Sequence, residues 1–536
     1  MRLDGAAPPW SISTREASVL HRPDLRPSFA RAAPIRSATP EGCCVSLTRL
    51  VAWNTLVQVG ARLVGLLASM AFTALLTRHL GLATYGQLVA ASTYVALFVI
   101  LGDAGLYLVT VRRAAQEIER RAAILGTSFV LRAVLPIVPL AVACALVRLL
   151  PGSRFANWEG VLFAAVIILS VNAYLTLFGQ FYIAIFRLHL RMDLAAAGEF
   201  LSRLVLLGAT LVVVAADGGL LAAVGAMTLG TLTQFIFGWI VTRRFERFSV
   251  RLDRPLARAM LIESAPLAAV TLLGLVHFKV DTLLLAILQP AHDVGIYGVA
   301  YKVHEVIISF PGLFIGLLFP VFSRLAQQDP VRLRIVFQRA FDVLALVSVG
   351  AALLVYVAAP RLALVLGAEM ASRPMRILAL ALPSIFLGLG FTHLLMAESR
   401  QRWLVPLYVF LVMVNLAANV ILIRRFSYLG AAAVTVATES MSLVILAGYR
   451  IGRQRWRIGL RSLWSVPIAI AIAWSLRRVT LAGPPGTEFI AHLLALAGIS
   501  VVALGLYAGC VFGLRILPIA VLRSLLPRRG EPAVEV

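Results

Sequence analysis

Lysine is nearly absent from this 536-residue chain: of its 49 Lys and Arg residues, all but Lys279 and Lys302 are arginine. Acid is scarce too, with 25 Asp and Glu, and charged residues make up only 14% of a chain that is 60% hydrophobic. Soluble folds carry roughly a quarter charged residues, so this composition excludes a soluble protein and leaves a polytopic membrane protein. A net charge of +24 would suggest nucleic acid in a soluble domain. Here the arginines stand in short connectors between apolar runs, where they orient helices, and no nucleic-acid partner is expected. The four cysteines, Cys43, Cys44, Cys144 and Cys510, have no metal-site or disulfide spacing, so no metal is expected. The chain has no Gly-rich loop followed by Lys and Ser/Thr, which argues against ATP use of its own. Residues 1 to 45 are rich in Pro, Arg and Ser, with no apolar run, and so hold neither signal peptide nor lipoprotein anchor. They read as a disordered cytoplasmic tail or as upstream sequence from a misassigned start codon.

The chain is rich in apolar runs long enough to cross a bilayer, each of about 20 residues or more. They fall near 50–77, 85–110, 122–150, 160–186, 194–216, 218–241, 259–288, 294–322, 336–358, 374–397, 403–423, 428–449, 462–482 and 489–513. The reading is an all-α protein of about 14 transmembrane helices. Arginine supports it: with the N terminus inside, the inner segments hold 34 of the cations, the outer connectors 10, and the spans themselves 5. Cytoplasmic connectors collect Lys and Arg, so both termini are expected to be cytoplasmic. The turn Leu82-Ala83-Thr84-Tyr85-Gly86 recurs as Val294-Gly295-Ile296-Tyr297-Gly298, 212 residues later. The offset equals six spans, so the two halves would share one orientation, related by an axis along the membrane normal.

At these residues the chain resembles the polysaccharide-transporter family of flippases, of the superfamily that also holds multidrug extruders and lipid II flippases. The stretch Ala74-Leu-Leu-Thr-Arg-His-Leu-Gly-Leu-Ala-Thr-Tyr-Gly86 looks like the family's first-helix exit, and Leu101-Gly-Asp-Ala-Gly-Leu106 with Arg112-Arg113 like the end of its second helix. Val280-Asp-Thr-Leu-Leu284 through Gly298, and Phe319-Pro-Val-Phe-Ser-Arg324, look like its seventh and eighth. The resemblance covers residues 50 to 450. It implies two six-helix lobes around a central cavity that carries an undecaprenyl-pyrophosphate-linked oligosaccharide across the inner membrane by alternating access, for O-antigen, capsule or exopolysaccharide synthesis. The expected organisation is a tail at 1–48, an N-lobe at 49–247, a connector at 248–258, a C-lobe at 259–450, two extra helices at 451–513 and a cytoplasmic tail at 514–536. The extra helices resemble the fourteen-helix members, which include the lipid II flippases. The expected partners are the lipid-linked oligosaccharide, membrane lipid, and the polymerase and glycosyltransferases of the same pathway. A monomer is expected.

Such a substrate needs a cationic lumen, and Arg62, Arg132, Arg203, Lys279 and Lys302 are the five intraspan cations. Facing lipid, they would cost more than about 12 kcal/mol together, as much as the whole stability of a domain. Lys279 and Lys302 both sit roughly 12–13 Å below the outer surface. The bland alternative is that Asp281 and Glu305 neutralise them as packing ion pairs, Lys302 and Glu305 being three apart on one face. His277 and Asp281 share a face, whereas Lys279 lies about 200° round the helix from them, so the three cannot share one lumen. Glu199 stands four residues before Arg203 and is expected to pair with it. Arg62 and Arg132 have no acid within four positions, and their partners must lie elsewhere.

Asp103, between Gly102 and Gly105, reads as a kink or gate contact. Asn172, Gln180, Asn415 and Asn419 are candidates for sugar hydroxyls or for interhelical hydrogen bonds. Asp281, Glu305 and His277, with His393, Asp342 and Glu439, are candidates for coupling to H+ or Na+. No other cofactor is expected. A multidrug exporter would favour an anionic cavity. A membrane glycosyltransferase or polymerase would need catalytic residues on larger outer loops than these, which reach only about 17 residues. The chain is expected not to be an enzyme.

Overall fold

The computed structural model describes residues 40–103, 105–149, 160–246, 248, 250–453, 456, 458–481 and 489–514. Most of the expected terminal tails lies outside these, although the first helix begins at Pro40, inside the segment expected to be disordered. The chain divides into two units, Met1–Ala52 and Trp53–Val536, and the second is described here.

The described residues are helical throughout, without strands. In chain order the α-helices of the first half are α1 (Pro40–Asp103), α2 (Leu106–Gln116), α3 (Arg121–Val134), α4 (Ile137–Leu149), α5 (Val161–Leu188), α6 (Met192–Ala215) and α7 (Leu220–Thr242). Those of the second half are α8 (Arg254–Leu288), α9 (Ala291–Gln328), α10 (Pro330–Val365), α11 (Ser372–Ala379), α12 (Leu382–Ala397) and α13 (Gln401–Gly448), followed by α14 (Ser465–Leu481) and α15 (Phe489–Gly513).

Two of these are hairpins. Gly81, at φ 76°, breaks α1, a backbone conformation glycine adopts without penalty. The hydroxyls of Thr73 and Tyr85 lie 3.4 Å apart across it, whereas a straight helix would separate residues twelve apart by about 18 Å. Ser427, at φ 50°, does the same in α13, where Asn415 Nδ2 donates to Thr438 Oγ1 at 3.3 Å. Nine helices among the described residues are long and apolar enough to cross a membrane, or ten if the bent pair Glu369–Ala379 and Leu382–Ala397 makes one span. The difference from the fourteen runs counted in the sequence arises partly here: Gly60–Gln116 and Arg402–Gly452 each count once, although each turns back on itself.

Helix starts follow local chemistry. Asp253 and Asp329 cap α8 and α10, accepting from Leu256 N at 3.1 Å and from Val331 N and Arg332 N at 3.1 and 2.9 Å. Pro255 and Pro330 stand in the first turns, where the missing N–H costs nothing. Large apolar side chains such as Leu67, Val138, Val212, Ile240 and Val501 stand exposed on the outer faces. Such a belt needs lipid around it, and the chain is a multi-pass membrane protein.

The main core joins the halves where the two Tyr-Gly turns meet. A Cβ on Gly86 would stand 1.8 Å from Ala291 O, and one on Gly295 2.0 Å from Leu82 O, so only glycine permits this approach. Tyr85 and Tyr297, equivalent residues of the repeat, are both buried in that core. The α1 segment just before the Gly81 break is tied to the end of α10, through Arg78 Nη2 to Leu364 O at 3.0 Å and Thr77 to Leu366 O. A second cluster joins α2, α3, α5, α7 and the first turns of α8. A third packs α14 and α15 against α10 through Leu346, Val349, Leu353 and Tyr507.

Candidate functional site

Beneath the paired Tyr-Gly turns lies a cavity of about 330 Å³ between the halves. The first half contributes Ser69, Thr73, Tyr85, Ser92 and Thr93 from α1, Asn172 from α5, Arg203 from α6 and Thr231 from α7. The second half contributes Lys279 and Thr282 from α8, and Tyr301, Lys302 and Glu305 from α9.

The charge arrangement decides what this cavity can do. Lys279 Nζ lies 3.2 Å from Glu305 Oε1, and Lys302 Nζ lies 3.1 Å from Glu305 Oε2. One carboxylate therefore serves two ammonium groups, which leaves one positive charge in excess. Asp281 makes no ion pair with either lysine among the described residues. It is buried on the opposite side of α8, accepting from the Tyr297 hydroxyl, from Thr282 N at 2.6 Å and from Thr435 Oγ1 at 3.4 Å. Lys279 also sits over the Tyr301 ring, 4.9 Å from its centroid, a cation–π contact that holds it toward the cavity. Arg203 adds a guanidinium, with Nη2 3.6 Å from Glu199 Oε1, the local pair its spacing predicts. Glu199 itself is not part of the lining. Asn172 donates to Thr231 Oγ1 at 2.9 Å, presenting an amide and a hydroxyl side by side.

Other expected site residues lie elsewhere. Arg132 is 1% exposed, and its guanidinium donates to Asp103 Oδ1 at 3.0 Å and to Leu177 O at 2.7 Å. Its missing partner is thus Asp103, 29 residues away, and the pair ties α3 to α1 and α5 outside the cavity. Arg62 is exposed on α1 and is not part of the lining. Gln180 is half-buried on α5, also outside it. Asn415 and Asn419 are buried within the α13 hairpin, bonded to one another at 2.7 Å and to Thr438, the interhelical alternative for these amides. His393 faces Leu389 O at 3.0 Å, and Asp342 accepts from Gln338 Nε2 at 3.0 Å.

His277 points, like Asp281, toward α13, as its helical phase requires. Its Nε2 lies 3.1 Å from Glu439 Oε1, beside a separate apolar cavity of about 340 Å³ formed by α8, α12 and α13. Sequence reasoning named both residues without pairing them, since 162 positions separate them. It missed the hydroxyl lining altogether: Ser, Thr and Tyr are too common in membrane helices to stand out.

The family profile described as "Polysaccharide biosynthesis protein" matches residues 47–326. No curated protein matches the chain significantly. Among solved structures, the lipid II flippase MurJ in an inward closed conformation is 12% identical, covers 87% of this chain and 100% of its own, and superposes with a TM-score of 0.67. An inward-facing multidrug resistance MATE family transporter of the MOP superfamily is 13% identical, covering 79% of this chain and 99% of its own at a TM-score of 0.59. A MOP superfamily transporter from Pyrococcus furiosus, described as having a binding pocket of reversed polarity, is 12% identical and covers 80% and 95% at 0.53. At these identities the likeness is one of fold.

Proposed function

The chain belongs to the polysaccharide biosynthesis protein family, and from that premise we propose that it is a flippase for undecaprenyl-pyrophosphate-linked oligosaccharide repeat units, working in the bacterial inner membrane by alternating access. The observation that carries this reading is the pair of lysines sharing one carboxylate at the centre of the cavity. An anion entering it meets an uncompensated ammonium and can displace part of the Glu305 contact without leaving a bare buried charge. Pyrophosphate has the charge and the acceptor oxygens for both lysines and Arg203. Asn172, Thr231 and the α1 hydroxyls offer donors and acceptors for a sugar. The cavity suits a pyrophosphate with its first sugar rather than a whole repeat unit, so passage requires the halves to separate. Nothing covalent happens to the substrate.

A lipid II-type substrate presents the same pyrophosphate and differs in its glycan, so the cavity charge favours both over an organic cation, which Lys279 and Lys302 would repel. Coupling to a proton is assigned in the same reading to His277 and Glu439, a buried pair that joins α8 to α13 within the second half. His277 Nδ1 has no hydrogen-bond partner among the described residues. Expression of the chain with Lys302→Ala, in a strain lacking its own flippase, tests the transport reading. Surface polysaccharide is expected to fall steeply while membrane abundance of the protein stays at the unsubstituted level. Export that persists, or that falls only in step with abundance, counts against it.

A further inference from the structure

A third cavity, of about 410 Å³, opens on the arginine-rich side, far from the Tyr-Gly turns, where the ends of α9, α10, α12 and α13 converge. Its walls hold Arg334, Glu398, Arg400 and Trp456 over an apolar floor that includes Ala326 and Leu333. Glu398 is already engaged. The fully buried Arg450 donates to both of its oxygens, at 2.7 Å each, and lies 4.1 Å from the centroid of the Trp456 ring. Arg400 Nε stands 3.7 Å from the same carboxylate with its side chain half exposed, and Arg334 is exposed, 5.3 Å from the Trp456 ring centroid. Two guanidinium groups thus share the Glu398 carboxylate, and Arg334 adds a third against the Trp456 ring, so the cavity wall carries three cations to one carboxylate. The carboxylate at the start of α10, Asp329, accepts from the N–H groups of Val331 and Arg332 instead. Ser399, between Glu398 and Arg400, holds a left-handed conformation, φ 59°, that a non-glycine residue adopts only when its surroundings enforce it.

We propose that this cavity binds the phosphate of an anionic phospholipid head group. The cavity lies at the ends of membrane-crossing helices, the level at which head groups reside. Arg334 offers a forked pair of donors to a phosphodiester, Arg400 adds its charge while donating to the Tyr449 hydroxyl at 3.4 Å, and the apolar floor with its indole receives the glycerol and the first carbons of an acyl chain. Arg450, held by Glu398 and stacked on Trp456, fixes the wall against which the head group rests. This assignment is independent of the transport reading, since the cavity is separate from the central one and its test reads lipid binding.

The full-length protein in mild detergent provides the test, by thermal unfolding with added phosphatidylglycerol or phosphatidylcholine. Phosphatidylglycerol is expected to raise Tm and phosphatidylcholine is not, because a ligand that binds the folded state stabilises it. Arg334→Gln combined with Arg400→Gln is expected to lose more than half of the phosphatidylglycerol shift while keeping its Tm in phosphatidylcholine. If the double variant fails to fold, Arg334→Gln alone, at an exposed position, is expected to retain fewer phosphatidylglycerol molecules by native mass spectrometry than Arg332→Gln, its neighbour outside the cavity. An undiminished shift in the double variant, or equal lipid retention by the two single variants, would each overturn the assignment.

Discussion

Replacing Lys302 by alanine leaves Lys279 and Glu305 as a balanced pair and removes the excess charge on which anion capture depends. A charge-assisted hydrogen bond contributes about 1.5–3 kcal/mol, so transport at limiting substrate should fall roughly ten- to a hundredfold. Glu305→Gln acts in the opposite sense. It leaves two ammonium groups unopposed, so capture at low substrate should improve while release, and hence the maximal rate, slows; initial rates across a substrate range separate the two effects. Arg132→Ala belongs to another class. It would strand the half-buried Asp103 carboxylate and empty the buried space the guanidinium fills between α1, α3 and α5, and protein abundance on immunoblots should fall together with activity. The sequence exposed the lysines because every other cation is arginine, and it exposed Glu305 because three residues separate it from Lys302. It could not reveal that Lys279 shares the same carboxylate, nor that Arg132 finds Asp103. Those contacts join different helices, and no local spacing encodes them.

At the level of the helix, the paired turns make the firmest commitment. Val89 and Gly298 both line the cavity roof, and a Cβ built on Gly298 stands 3.4 Å from that of Val89, close to the roughly 3.5–4.5 Å that a disulfide requires. In a background without the four native cysteines, Val89→Cys with Gly298→Cys should cross-link on mild oxidation, abolish transport and regain it with reductant. Cross-linking without loss of transport would mean that this side never opens. The repeat was legible as two Tyr-Gly turns, and the glycines were legible as turn formers. Their other use, allowing the backbones of residues 82–86 and 291–295 to touch, is a property of the assembled halves. Asn415 and Asn419 show the converse: their residue type suited a polar lumen equally well, and only the hairpin at Ser427, which brings Thr438 alongside, decides for packing.

For the molecule as a whole, the arginine asymmetry of the sequence predicts that the connectors around Arg332 and Arg424 lie on opposite sides of the membrane. Single cysteines at these exposed positions should react with a membrane-impermeant maleimide from the cytoplasmic and the outer side respectively; the reverse pattern would invert the orientation. Composition was enough to establish a helical membrane bundle, because the bilayer restricts a chain of this hydropathy to helices or closed barrels and the runs here have helical length. The number of crossings was less legible from continuous helices, since Gly81 and Ser427 each join two of them into one. The proposal that an uncompensated ammonium captures a lipid-borne pyrophosphate is tested most directly by reconstitution. Proteoliposomes would carry the purified protein and a fluorescent polyprenyl-pyrophosphate-linked oligosaccharide, with flipping read by quenching of the exposed leaflet. The unsubstituted protein is expected to equilibrate the two leaflets, Lys279→Met with Lys302→Met to fall to the rate of protein-free vesicles, and Lys302→Arg to restore most of it. Equal flipping by the double methionine variant at equal reconstitution would contradict the assignment of the cavity.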